Sequence, residues 1–360
     1  MIRKINTSPA ETLVLGELPK GCRQCIKGEK LVLFVHGICH RDCFYCPLSE
    51  KRKNKKTTSA NEVEVKEEKD ILKEAQLSGA LGAGITGGEP LINLENTLHY
   101  IRLLKKTFGE KFHIHLYTSG DHADETTLKA LEDAGLDELR YHIRHDNWKI
   151  LKKAQNRKFK VGVEIPAIPG ELEYLKKLTT HLDKTGIDFL NLNELEVSEL
   201  SAKKMAEKGF KTDGAWYNSV IGSKKTAKEL VEFAAKNTKN ISIHFCESKV
   251  KDAYQFKNRL KRRAKNIKKP FETISSGFLL KKGAVLSKNP KHDILKIKHE
   301  LNLKDTDFFV RPEKSRIEMS VSNAKKASRR GYEAQVIEEL PSADAFDMEI
   351  TPIKSKKQSF

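Results

Sequence analysis

Gly37-Ile-Cys39-His-Arg-Asp-Cys43-Phe-Tyr-Cys46-Pro47 is the stretch that decides this fold. Its cysteines run C-x3-C-x2-C, directly after the apolar segment Leu31-Val-Leu-Phe-Val35, which reads as a strand. Three thiolates on one loop can hold three irons of a [4Fe–4S] cluster and leave the fourth iron without a protein ligand. An electron-transfer cluster, by contrast, is closed by four cysteines.

Further along, a second strand-like segment, Gly82–Thr86, runs into Gly87-Gly88-Glu89-Pro90. A competing reading joins Cys22-x2-Cys25 to Cys43-x2-Cys46, seventeen residues on, as a four-cysteine zinc site. That reading leaves Cys39, Tyr45 and the Gly-Gly-Glu turn as coincidences, so the cluster is preferred.

With Tyr45 just before the last cysteine, the run resembles the signature of the radical SAM superfamily, whose members cleave S-adenosylmethionine (SAM). Gly87-Gly88-Glu89-Pro90 resembles that superfamily's motif for the methionine amino group. Together with Gly21-Cys-x-x-Cys25, Val35-His-Gly-Ile-Cys39 and Val163-Glu-Ile-Pro-Ala-Ile-Pro-Gly170, the pattern is similar to archaeal radical SAM proteins related to pyruvate formate-lyase activating enzyme. The resemblance implies a partial (β/α)6 TIM-like barrel and a cluster on Cys39, Cys43 and Cys46. It also implies a low-potential electron donor such as ferredoxin or flavodoxin, and reductive cleavage of SAM to a 5′-deoxyadenosyl radical that abstracts hydrogen from a substrate. Tyr45 is then expected near the adenine, Gly87, Gly88 and Glu89 at the ammonium, and Ser119 against SAM. Glu164 suits the ribose hydroxyls or substrate, since a carboxylate accepts two hydrogen bonds well. Arg144 suits the SAM carboxylate, because a guanidinium recognises carboxylates in bidentate fashion. The resemblance names no substrate.

From residue 31 to about 195, strand-like and helix-like segments alternate, as in a parallel sheet built from βα units. Six strands are expected: 31–35, 82–86, 112–119, 138–144, 160–165 and 189–195. His113, His115, Tyr117 and Ser119 share one face of the third; Arg140, His142 and Arg144 one face of the fourth; Asn191 and Asn193 one face of the sixth. Strands covered on both sides are normally apolar throughout, so these polar faces predict a wet lumen. His113, His115, His142 and Asn193 would line its substrate side. A strand over 241–246 and a basic helix over 252–267 follow. The expected division is an N-terminal extension (1–30), the barrel (31–250), a basic helical linker (251–274) and a small α+β domain (275–360). Only the tail 354–360 reads as disordered.

Cys22, Cys25 and Cys246 remain, with His244 on the same strand face as Cys246. They suggest an auxiliary zinc site or a second iron–sulfur cluster. Lysine and arginine total 67 against 49 acidic residues, a net charge of +18, which fits tRNA or another RNA as partner. The runs at 51–56 and 257–269 concentrate that charge. RNA modification is therefore slightly favoured over activation of a protein partner, with a non-catalytic iron–sulfur or zinc module as the third reading. No segment has the eighteen or more apolar residues of a membrane span, and thiolate–iron chemistry needs a reducing compartment, so a cytoplasmic protein is expected.

Overall fold

The computed structural model describes residues 2–143, 147–214 and 218–354. The chain forms two compact units, residues 1–76 with 80–258 and residues 77–79 with 259–360.

The first unit opens with a hairpin, β1 (Ile5–Thr7) and β2 (Leu13–Leu15), and a short helix, α1 (Lys20–Ile26). Then come β3 (Lys30–Phe34), β4 (Ser59–Ala60), β5 (Val63–Glu64), α2 (Glu68–Leu77) and β6 (Gly82–Thr86). Next are α3 (Leu94–Phe108), β7 (His113–Thr118), α4 (Glu125–Asp133), β8 (Glu138–Tyr141), β9 (Lys160–Ala167) and α5 (Leu172–Lys184). The unit continues through β10 (Phe189–Glu194), α6 (Ala202–Glu207), α7 (Ser223–Asn237) and β11 (Ser242–Cys246). One eleven-stranded sheet collects these strands in the order β1-β2-β11-β10-β9-β8-β7-β6-β3-β4-β5. The run from β11 to β3 is parallel, and the path is open: its two end strands do not pair with each other. β11 is thus a seventh parallel strand where six are expected. Leu31, Ile85, Ile114, Leu139, Val163, Leu190 and Ile243 point from successive strands into one core, against Ile101, Leu128, Leu178 and Leu230 of the amphipathic helices. Side-chain oxygens of Asn93 and Asp124 cap α3 and α4 at their first turns.

The opposite faces of these strands carry the polar residues, as the alternation implies, but the lumen is not wet throughout. His113, His115, Glu138, Arg140, Asn191 and His244 are buried. The backbone N–H of Gly21 on α1 donates to Glu138 Oε2 at 3.3 Å. The Cys22 thiol accepts from Arg140 Nη2 at 3.5 Å and Asn191 Nδ2 at 3.3 Å. A side chain at Gly21 would collide with Arg140, Glu138 and His115, so α1 approaches this closely only with glycine there. The lower lumen is therefore a packed polar network. His113 and His115 belong to it rather than to a substrate-facing wall.

After β11 the chain makes one turn, α8 (Ser248–Val250), a π-helical segment (Lys251–Phe256) and then α9 (Lys257–Ile267). The expected single basic helix is thus interrupted. α9 also spends part of its charge internally: both Arg262 Nε and Nη2 donate to the Gly79 carbonyl, and Arg263 is buried beside Leu260 and Ala264.

The second unit contains β12 (Thr273–Ser275), β13 (Leu279–Leu286), α10 (Pro290–Leu301), β14 (Phe308–Arg311), β15 (Arg316–Met319), α11 (Val321–Arg329), β16 (Ala334–Glu339) and β17 (Asp347–Pro352). Its sheet is antiparallel, β14-β15-β13-β16-β17, with β12 beside β13. Val285, Ile317 and Met319 pack on Ile294 and Ile297 of α10 and on Ala324 and Ala327 of α11. Gly283 lets α11 lie close, since a Cβ there would strike Ala324. The other face holds Lys282, fully buried, with carboxylate oxygens of Glu272 at 2.7 Å, Glu339 at 2.8 Å and Glu318 at 3.3 Å. Arg316 joins Glu318, Glu339 and Asp347 around it.

Candidate active site

The cysteine loop leaves the C-terminal end of β3, and Gly87-Gly88-Glu89 leaves the neighbouring end of β6. Two backbone bonds zip them together: Gly88 N–H to the His36 carbonyl at 2.7 Å and Glu89 N–H to the Ile38 carbonyl at 2.8 Å. A Cβ on Gly87 would collide with the His36 carbonyl, and one on Gly88 with that of Ile38. Neither glycine has a positive φ, so close approach and not left-handed backbone is what demands them. Two expected motifs thus form one piece of structure.

Arg41, inside the cysteine run, braces the loop from the other side. It forms a bidentate pair with Asp121 at 2.7 and 2.9 Å and donates to the carbonyls of His142 and Ser119 at 2.7 and 3.0 Å. The guanidinium holds the Asp121 carboxyl below its ordinary range. Sequence reading passed over Arg41, although its place between two cluster cysteines was a signal. Cys39, Cys43 and Cys46 are free thiols, each partly exposed, and all three line one cavity of about 290 Å³ with Gly87, Gly88 and Glu89. Burial raises the Cys39 thiol, whose sulfur accepts the Arg41 N–H at 3.4 Å.

The rest of the cavity is built from strand ends. Glu89 is buried, and its carboxylate accepts from Leu91 N–H, Thr118 Oγ1 and Ser119 N–H, leaving one acceptor position for a ligand. Tyr45 Oη lies 3.0 Å from His142 Nε2, and the imidazole's Nδ1 lies 2.9 Å from the Glu164 carbonyl. Ser119 Oγ donates to Asp121 at 3.1 Å. Glu164 sits on the cavity floor: Oε2 accepts from Arg140 at 2.7 Å and Asn191 at 2.9 Å, while Oε1 accepts from Asn193 at 3.1 Å. Burial would raise its carboxyl, but Arg140 and the two amides outweigh that and lower it. Arg144 lies outside the described residues. The wall that follows β10 holds Glu194, Glu196 and Lys251, none anticipated from sequence, and reaches the cysteine loop through Ser198 Oγ, which donates to the Cys46 carbonyl at 2.9 Å. Lys251 Nζ meets Glu196 at 2.6 Å, and Glu194 accepts the Ser248 N–H at 2.8 Å.

The four residues expected at an auxiliary zinc site or second cluster do not converge on a single ion. Cys22 is held by Arg140 and Asn191, His244 Nε2 lies 3.0 Å from Thr12 Oγ1, and Cys246 packs with Ile26 and Val250. Burial raises Cys22, Cys25 and Cys246, the last to about 12, in the same direction as Cys39. Among the described residues no three Cys, His, Asp or Glu side chains converge on a single ion. The cysteine loop does not converge in that way either; a cubane, unlike an ion, is gripped at its separate corners.

A model of the radical SAM superfamily matches residues 33–161. A protein of Methanocaldococcus jannaschii, provisionally named a glycyl-radical enzyme activating enzyme, is 37% identical over 363 residues, covering 96% of this chain and 95% of its own length. This chain belongs to the radical SAM superfamily. It is a radical SAM enzyme whose cofactors are a [4Fe–4S] cluster and SAM. Among solved structures, SuiB of Streptococcus suis bound to its precursor peptide aligns at a TM-score of 0.43 and 13% identity, over 61% of this chain and 48% of its own. The methyltransferase TsrM of Kitasatospora setae aligns at 0.37 and 14%, over 67% of this chain and 53% of its own. The chain therefore spans about half the length of these radical SAM structures, and likeness that faint decides nothing about substrate. Among the described residues no helix is long and apolar enough to cross a membrane.

Proposed function

We propose that Cys39, Cys43 and Cys46 hold the cluster and that the enzyme uses SAM to place a radical on a protein partner. When bound, the cluster supplies the electron that cleaves SAM to methionine and a 5′-deoxyadenosyl radical, which takes a hydrogen atom from the partner. The chain's own residues orient the reaction. The strand end at Gly87–Glu89 receives the SAM ammonium, and Glu164 Oε1 and Ser119 face its ribose. Arg41 keeps the cysteine loop fixed against β7 and β8 while the ligand binds.

The zip between the cysteine loop and Gly87–Glu89 within one cavity carries the chemistry. The near-full-length relationship to an activating enzyme supports a protein as the substrate. So does the wall after β10, where Glu194 and Glu196 stand against one lysine: a phosphate-bearing segment entering there meets net negative charge. RNA modification is the second reading, favoured by the +18 net charge, but α9 commits Arg262 and Arg263 to its own unit.

Anaerobic reconstitution with iron and sulfide, followed by a strong reductant and SAM, tests the proposal. It should give the cubane absorption band and equal amounts of 5′-deoxyadenosine and methionine, both lost in Cys39→Ala. A protein that binds only zinc would sink the reading. Bulk tRNA titrated against salt separates the substrate classes: a weak, flat response fits a protein substrate, and a steep log–log slope fits RNA.

A further inference from the structure

The turn Glu50-Lys51-Arg52-Lys53-Asn54-Lys55-Lys56 carries five cations and one carboxylate. It is bonded to the cysteine loop in both directions: Gly37 N–H donates to the Lys55 carbonyl at 2.7 Å, and Asn54 N–H to the Gly37 carbonyl at 3.0 Å. A side chain on Gly37 would run into the Arg52 carbonyl, so glycine permits this closeness two residues before Cys39. Lys53 and Asn54 line the cavity itself. Arg52 lies over the Phe34 ring at 5.1 Å, and Lys53 pairs with Asp42 at 3.3 Å. Lys51, Lys55 and Lys56 are exposed and have no ion partner among the described residues. A lysine-rich loop free to move would be only solvated surface. This one is a fixed charge array mounted on the loop that bears the cluster cysteines.

We infer that this turn is the docking surface for an acidic one-electron carrier protein. The inference rests on the proposed cluster loop, since a cluster held by Cys39, Cys43 and Cys46 has its electron delivered beside this turn. One electron leaves the carrier's flavin and enters the cluster, and no proton or group moves. Complementary charge speeds the encounter and sets its orientation, and salt weakens it because exposed charges are screened within about 10 Å at 0.1 M.

The test uses the reconstituted enzyme and its Lys51→Glu/Lys56→Glu variant, which leaves the cavity residues and the backbone bonds of the turn in place. A flavodoxin is the probe, titrated at several salt concentrations. The wild type should bind with an affinity that falls steeply with salt, and the variant about tenfold or more weakly with little salt dependence. Cluster reduction by reduced flavodoxin should slow by a similar factor. Reduction by photoreduced deazaflavin, iron content and the unfolding midpoint should not change. Equal flavodoxin affinity and rate in the two proteins would overturn the inference. So would a variant that loses tRNA binding but keeps flavodoxin. If deazaflavin fails to drive SAM cleavage in the wild type, the proposed function fails, while the binding titration still reports on the surface.

Discussion

Each unit buries a network of charges on one face of a sheet, and the two networks have opposite uses. In the antiparallel sheet, Lys282 is enclosed by Glu272, Glu318 and Glu339, with Arg316 closing the outside. Burial alone would lower this lysine, but the three carboxylates prevail and raise it. In the parallel sheet, Arg140 joins Glu138 below to Glu164 above, and Glu164 opens onto the cavity. Lys30, at the bottom of the same lumen, hydrogen-bonds only to carbonyls and the His113 imidazole among the described residues, and burial outweighs the pull of Cys25 and Glu138 and pushes it down to about 7. A polar stripe on a strand therefore marks a place where charge is buried. It becomes a reactive site only where the strand ends meet loops able to hold a ligand.

Three measurements can break or sharpen this contrast. Lys282→Met leaves three carboxylates buried around an apolar side chain and should destabilise the second unit by about 3–5 kcal/mol in denaturant unfolding. SAM cleavage by the folded variant should stay near wild type; a stable Lys282→Met protein would mean the network is not sealed. Glu164→Gln removes one partner of Arg140 but keeps Glu138, so the expected stability loss is smaller, about 1–3 kcal/mol. Here SAM binding should weaken measurably by equilibrium dialysis. Unchanged SAM affinity would reduce Glu164 to a structural role. The smallest effect concerns Lys30. Between its folded value of about 7 and the unfolded 10.5, the unfolded chain holds a proton that the folded one has lost, so stability rises with pH. From pH 7 to 8 this gain is about 1 kcal/mol at most, and Lys30→Met should remove it.

The seven parallel strands were legible wherever apolar and polar residues alternate over five or more positions, as in His113–Thr118 and Phe189–Glu194. β11 was readable as a strand, but only its register beside β10 makes it part of the lumen. The hairpin β1–β2 and the pair β4–β5 were not legible, because two or three residues carry no period. Arg316-Ile-Glu-Met319 went unread because buried ion pairs look like a solvent face in sequence. Cys22-x2-Cys25 suggested a metal knuckle; it lies on a helix, where the Cys22 thiol accepts from Arg140 and Asn191. The cysteine loop and the Gly-Gly-Glu turn were each legible, but not their zip, since the colliding carbonyls of His36 and Ile38 are set by three-dimensional approach. Arg41 and Lys251 escaped for the same reason: their partners are distant in the chain.

The helix plugging the lower lumen has a kinetic consequence. With that end stoppered by Gly21, Cys22 and Arg140, the described residues leave the cavity mouth at the strand ends as the way out for spent nucleoside and methionine. Under the proposed protein-partner reading, turnover is sequential: the partner must undock before the enzyme can recharge.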